Sequence, residues 1–305
     1  MASPDFVRNT VDVHGAVGAA WLSKLPSLIE QCERRWRLQA MPPFSPQSHS
    51  YVAPAVRRDG TEVVLKLGVP HARVANEIES LRAFGGHGSA KLIEADVDTG
   101  AMVLERLKPG LMLSLVEDDQ HATSIAADVM RRLWQPTPVD HSFPSVADQA
   151  AGLSKLRARF AGGTGPIPAG LVERAEALFS ELIASMGERV VLHGDLHHYN
   201  ILSAEGQPWL AIDPNGVDGG REVELWQFIR NRLEGSQGPE KALPRLVDQF
   251  VAELGLDRER IVGWGLAQSV LSLWWGIEDH GKLSVQEIST TELFARLEKP
   301  RDSPL

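Results

Sequence analysis

One polar loop gripped by two short apolar runs constrains this chain more than any other feature. Val190-Val191-Leu192 precedes His193-Gly194-Asp195-Leu196-His197-His198-Tyr199-Asn200, and Ile201-Leu202 follows it. Short apolar runs bounded by Gly, His and Asp predict buried strands, so the ionisable and amide side chains sit on a loop with rigid supports. Beyond a turn at 203–208, Trp209-Leu210-Ala211-Ile212 predicts a returning strand. A hairpin with arms this short brings its ends together, which predicts Asp213 close to Asn200.

The first hundred residues predict a small sheet carrying one important helix. From His14 to Leu38, apolar residues recur at three- and four-residue steps, the pattern of an N-terminal helical extension with a break or restart at Pro26. The prolines and serines of 41–50 predict a loop. Tyr51–Val56 and Thr61–Leu67 then flank Arg57-Arg58-Asp59-Gly60, a hairpin signal that places Lys66 on the second strand. His71 to Phe84 predicts a helix stopped by Gly85-Gly86. At about 100° per residue, Glu77 lies roughly 60° from the centre of its apolar stripe and Glu79 points away, so Glu77 looks inward. Lys91–Ala95 and Ala101–Glu105 predict two more strands joined at Asp98-Thr99-Gly100.

After Leu107-Lys108-Pro109-Gly110 the texture becomes helical, with helices expected at 111–116, 122–134, 146–160, 169–186, 222–232, 241–254 and 260–277. The last is apolar nearly all round and predicts a buried core helix stopped by Gly281. The glycine run at 162–165 joins two helical patterns with no strand before it, so it predicts a flexible connection rather than a phosphate cradle. The expected class is α+β, with a sheet lobe over 1–107 and a larger, mainly helical lobe over 108–305.

Composition removes several functional classes. A net charge of -9 over 305 residues argues against a nucleic-acid or anionic-membrane partner and suits a cationic small substrate. Cys32 is the only cysteine, which excludes an intrachain disulfide and a cysteine-based zinc site. No apolar run approaches the roughly 18 residues of a membrane span, and the start lacks the basic-then-apolar pattern of a secretory leader. The expectation is a cytoplasmic protein, monomeric or weakly dimeric.

Phosphoryl transfer needs a base at the acceptor hydroxyl, oxygen ligands for magnesium, and a lysine on the nucleotide phosphates. Asp195, then Asn200 five positions later, then Asp213 at the end of a hairpin give the order base, metal ligand, metal ligand. Lys66 on a strand and Glu77 on the next helix complete the set, and hard oxygen donors such as Asn200 and Asp213 suit magnesium. Against this stands a metal-dependent hydrolase built on His193, Asp195 and His197, a reading that leaves Lys66, Asn200 and Asp213 without work.

The segment His193-Gly194-Asp195-Leu196-His197-His198-Tyr199-Asn200 resembles the catalytic loop of aminoglycoside phosphotransferases and choline kinase relatives. Tyr51 through Lys66, and Ala211-Ile212-Asp213-Pro214, resemble the streptomycin 6-kinase and hydroxyurea kinase family most closely, over roughly residues 14 to 280. The resemblance implies a two-lobed protein-kinase-like fold and transfer of the γ-phosphoryl group of ATP, with Mg2+, to a hydroxyl of an aminocyclitol antibiotic, streptomycin foremost. Hydroxyurea or another small hydroxylated metabolite is the alternative acceptor. It implies a hinge at 104–107 that binds adenine through the backbone, naming Glu105 and Leu107. In place of a glycine-rich phosphate loop this chain has Ser45, Ser48 and Ser50, whose hydroxyls and N–H groups would cover the phosphates. Gly219-Gly220-Arg221-Glu222-Val223-Glu224 departs from the family's segment after the metal aspartate, although Glu224 stands where the family has an acid. Glu224, Glu278 and Asp279 are the candidates to bind guanidino or amino groups of the acceptor.

Overall fold

The computed structural model describes residues 3–234, 236 and 238–298. Met1 and Ala2, the first residues of the start read as lacking a leader, lie outside the described residues, as do the last residues of the expected second lobe.

The chain opens with helix α1 (Pro4–Trp36). Ser3 caps it by accepting the Phe6 N–H, Pro4 occupies the first turn, and Arg37 closes it in the left-handed region. The helix begins ten residues earlier than the apolar periodicity alone predicts, and the break lies at Gly15, not Pro26. Gly15 takes φ +55°, which costs a residue without Cβ little, whereas Pro26 stays inside the helix. Strands β1 (Leu38–Ala40), β2 (Tyr51–Arg57) and β3 (Glu62–Leu67), helix α2 (Ala72–Phe84), and strands β4 (Leu92–Asp96), β5 (Ala101–Glu105) and β6 (Pro109–Met112) follow.

The antiparallel sheet has the order β1-β2-β3-β5-β4. Its central hairpin turns where Asp59-Gly60 predicts: the Gly60 N–H donates to the Arg57 carbonyl, and Asp59 Oδ1 accepts the Thr61 N–H. Register pairs Val52 with Lys66 and Lys66 with Met102, which fixes Lys66 in the middle of the sheet. Alternation sends Leu65, Leu67, Val63 and Val103 to a core shared with Phe6, Trp21, Leu25 and Trp36. On the other side, Val74, Ile78 and Leu81 of α2 pack against Met102 and Leu104.

Helix α3 (Asp119–Leu133) starts behind an Asp118 cap, and β7 (Gln135–Pro136), α4 (Val146–Arg159), α5 (Ala169–Ala184) and β8 (Val190–Leu192) lead to the polar loop. After it come β9 (Ile201–Ala204), β10 (Gln207–Ala211), β11 (Val217–Gly219), α6 (Leu225–Glu234), α7 (Pro239–Leu254), α8 (Arg258–His280) and α9 (Val285–Glu298). Helix α8 is buried without interruption from Ile261 to Trp274 and ends at Gly281 in the left-handed region. Helix α9, absent from the sequence expectation, buries Phe294 against Gly265 of α8, where a Cβ would stand 2.1 Å from the ring.

Two local expectations need correcting. The helix expected at 111–116 is strand β6 followed by a 3-10 turn at Leu113–Leu115, and the strand joins a sheet of order β10-β9-β6. The turn expected at 203–208 shrinks to Glu205-Gly206, with Gly206 at φ +67° and Pro208 tolerated because β10 is an edge strand.

The chain forms two compact units, residues 1–111 with 203–215, and 112–202 with 216–305. The sequence places the change at 107/108 and keeps everything after it together. In the structure 203–215 belongs with the first unit, where the Ala211 N–H donates to the Gly88 carbonyl and the Ala211 carbonyl accepts the Ala90 N–H. Small antiparallel sheet and mainly helical remainder together make the α+β, two-lobed kinase-like class. Among the described residues no helix is long and apolar enough to cross a membrane.

Candidate active site

In the first unit three of the predicted residues meet. Lys66 is 4% exposed, and its Nζ donates to Glu77 Oε1 at 2.6 Å and to Asp213 Oδ1 at 2.9 Å. Burial alone would lower the ammonium's pKa, but the charges of Asp213 and Glu77 override it and raise it, so Lys66 is a fixed cation. Burial pushes the Glu77 carboxyl up, against the pull of Lys66. Glu79 on the same helix is only half-buried and pairs with Arg82 instead, as the helical phase of the two glutamates requires. Asp213 adopts φ +61°, a conformation costly for a side chain with Cβ but tolerated by Asp better than by most residues.

The serine loop is fastened to the start of α1: the Ser3 N–H donates to Gln47 Oε1, and Asn9 Nδ2 to the Ser48 carbonyl, both at 3.3 Å. Ser48 is exposed and Ser50 half-buried. At the expected hinge, the Glu105 N–H donates to the Lys91 carbonyl at 2.9 Å, and Leu107 is buried. Residues Glu105 to Lys108, with Gly60, Glu62, Ala204 and Glu205, line a polar pocket of about 430 Å³ in this unit.

The second unit holds the polar loop. Strand β8 is buried between β11 and β7, so it presents His193 onward from a fixed edge. Glu224, 2% exposed, accepts the N–H groups of His193 at 2.6 Å and Gly194 at 3.0 Å through its two oxygens. Burial pushes its carboxyl up to about 7 in spite of those two bonds. Asn200 Nδ2 donates to the Asp195 carbonyl at 3.0 Å, which fixes the orientation of the amide. Gln227 Nε2 donates to Asp195 Oδ1 at 3.1 Å, and His197 Nε2 lies 3.7 Å from the same oxygen.

The histidines serve the loop. His193 Nδ1 accepts the Asp195 N–H and His197 Nδ1 the Tyr199 N–H, each at 3.3 Å. His198 stacks on Phe228 at 4.0 Å, and burial lowers its pKa to about 4, so it is neutral. Among the described residues no group of three His, Cys, Asp or Glu side chains is arranged to hold a metal ion, which removes the hydrolase cluster of His193, Asp195 and His197.

Of the candidate acceptor residues, Glu224 lies buried under the loop, while Glu278 and Asp279 are exposed at the end of α8. Gln227 escaped the sequence reading because a half-buried glutamine on an amphipathic helix carries no pattern of its own.

Residues 35–280 match the family described as aminoglycoside/hydroxyurea antibiotic resistance kinase. The chain belongs to that family. It is a phosphotransferase with an alcohol group as acceptor. It is similar to the streptomycin 6-kinase of Streptomyces glaucescens, 34% identical with 87% of each chain covered. It is also similar to the hydroxyurea phosphotransferase of Kitasatospora aureofaciens, 35% identical over 90% of this chain and 79% of that one. Its fold is that of an aminoglycoside phosphotransferase solved, as a thermostable mutant, in a ternary complex with ADP and hygromycin B. The two share a TM-score of 0.62 at 13% identity, covering 91% of this chain and 100% of that chain.

Proposed function

We propose that this kinase transfers the γ-phosphoryl group of ATP, with Mg2+, to a hydroxyl of an aminocyclitol antibiotic, with streptomycin at its 6-position as the first acceptor. The observation that carries the reading is the polar loop itself: Asp195 is held at its carbonyl by Asn200 and at its carboxylate by Gln227, on a backbone gripped by Glu224. A base for phosphoryl transfer needs this kind of fixed placement more than it needs a perturbed pKa.

Asp195 orients the acceptor hydroxyl and takes its proton as the oxygen attacks. Lys66, permanently charged and aimed by Glu77, binds the nucleotide phosphates. The Ser48 and Ser50 loop covers them, and the backbone at Glu105 and Leu107 binds the base. Asn200 Oδ1 and the Asp213 carboxylate are hard oxygen donors that fit magnesium, with the Asn200 amide already turned for the task. Such an ion would neutralise charge on the phosphates. Two streptomycin 6-kinases among the relatives support streptomycin first, and one hydroxyurea phosphotransferase supports hydroxyurea second.

The test is mass spectrometry of a panel containing streptomycin, a kanamycin-type aminoglycoside, hydroxyurea, choline and a sugar after incubation with the protein and Mg-ATP. Streptomycin should gain one phosphoryl group. Asp195→Asn should lower turnover by several orders of magnitude while nucleotide affinity stays at the wild-type value; turnover retained in that variant refutes the base assignment.

A further inference from the structure

Beside Asp195 the second unit holds a pocket of about 50 Å³ with an unusual lining. Its polar side chains include three carboxamides, Gln149 of α4, Gln227 of α6 and Gln268 of α8, and its walls include the indoles of Trp226 and Trp275. Gln268 is 3% exposed, and its Nε2 donates to Gln149 Oε1 at 3.3 Å. Gln227, also in the lining, is the residue that reaches Asp195 Oδ1. The lining thus includes Gly194, next to Asp195 in the chain, and the glutamine bonded to the Asp195 carboxylate.

Charge is nearly absent from these walls. Glu224 is the one ionisable side chain among the lining residues, and both its oxygens are occupied by backbone N–H groups. Its carboxyl, pushed up to about 7 by burial, gives a cation little to bind. A carboxamide offers a donor and an acceptor, which is what a hydroxyl group also offers, and an indole face suits the C–H edge of a saturated ring. By volume the pocket holds roughly three to five waters at about 10–15 Å³ each. That is room for one hydroxylated edge of a ring, not for a whole antibiotic.

Resting on the kinase reading, we propose that this pocket takes a neutral, hydroxyl-bearing edge of the acceptor ring, held by Gln149 and Gln268 against Trp275, and so delivers the neighbouring hydroxyl to Asp195. The guanidino or amino groups of the acceptor lie outside it. Specificity at the reacting end is set by carboxamides, and the acidic residues Glu278 and Asp279 are left to the cationic remainder.

Streptomycin is the probe, titrated calorimetrically into the full chain and used as substrate, at low and at physiological salt. Gln149→Leu and Gln268→Leu should each raise its Kd and KM about three- to tenfold, the size of one neutral hydrogen bond, and leave the KM for ATP unchanged. The factor should be the same at both salt concentrations, because neutral contacts are not screened. Should the buried Gln268 variant fail to fold, Gln149→Leu, half-buried, carries the test together with Trp275→Leu. Wild-type Kd and KM in the carboxamide variants overturn the proposal, as does a loss that fades at higher salt, or no streptomycin binding to the wild-type protein. Binding that depends on Gln149 and Gln268 without a phosphorylated product keeps the pocket and refutes the kinase reading. Product formed at wild-type KM by both variants does the reverse.

Discussion

Glu224→Gln separates a buried neutral acid from a buried anion beneath the polar loop. The carboxyl, ordinarily near 4.5, is pushed up to about 7 by burial, with the His193 and Gly194 N–H groups opposing the shift and the charge of Asp195 adding to it. A raised value means that the group's contribution to stability is intact below about 4.5 and is lost as pH rises through about 7. Between about pH 5 and about pH 8, that difference removes about 2.5 kcal/mol of unfolding free energy. Glutamine removes the titration but turns an NH2 toward one of the two N–H donors, leaving it unsatisfied at a cost of about 1–3 kcal/mol at every pH. The wild-type protein should therefore exceed the variant in stability near pH 5, and the gap should close or invert by about pH 8. Guanidinium unfolding followed by tryptophan fluorescence measures it, with Trp226, Trp264 and Trp274 reporting on the same unit. Parallel stability curves, or a gap that widens with pH, would show that Glu224 is an ordinary anion held by its two N–H bonds and refute the argument.

Lys66→Met leaves the Glu77 and Asp213 carboxylates facing one another without their cation, and should cost the first unit about 3–5 kcal/mol in denaturant unfolding along with nucleotide binding. Adding Glu77→Leu should recover much of the stability and none of the nucleotide affinity; recovery of both would remove Lys66 from the phosphates. Gly265→Ala sets a methyl against the Phe294 ring, and should cost about 1–3 kcal/mol and lower Tm by several degrees. An unchanged Tm would mean that α9 shifts away freely.

What could be read from the sequence was whatever a period or a turn residue encodes. The Asp59-Gly60 hairpin puts Lys66 in the middle of a strand, and the 3.6-residue period distinguishes Glu77 from Glu79. Helix α8 announced its burial by being apolar on every side. Helix α9 did not, because its apolar residues are too few and too spread to mark a face, and its place depends on a glycine twenty-nine positions earlier that admits Phe294. The same limit hid Gln227. Its worth lies in reaching Asp195 from a different helix, a distance that no local pattern carries.

The acceptor residues show why charge is a poor guide to such a site. Reasoning from a cationic ligand selects carboxylates, and the sequence supplies Glu224, Glu278 and Asp279. Yet a carboxylate useful to a ligand must keep its oxygens accessible, and Glu224, the one that lines the pocket beside Asp195, has given both to the loop backbone. Glu278 and Asp279 are exposed, where an ion pair contributes about 0–1 kcal/mol and is screened by salt. Fixing a reacting hydroxyl needs stronger discrimination than that. Buried carboxamides provide it, because a ligand lacking the matching hydroxyl leaves them unpaired, and that penalty is what allows a polar site to reject near neighbours of its substrate. In the proposed pocket the neutral residues place the acceptor, and the exposed acidic ones bear only on how readily it arrives.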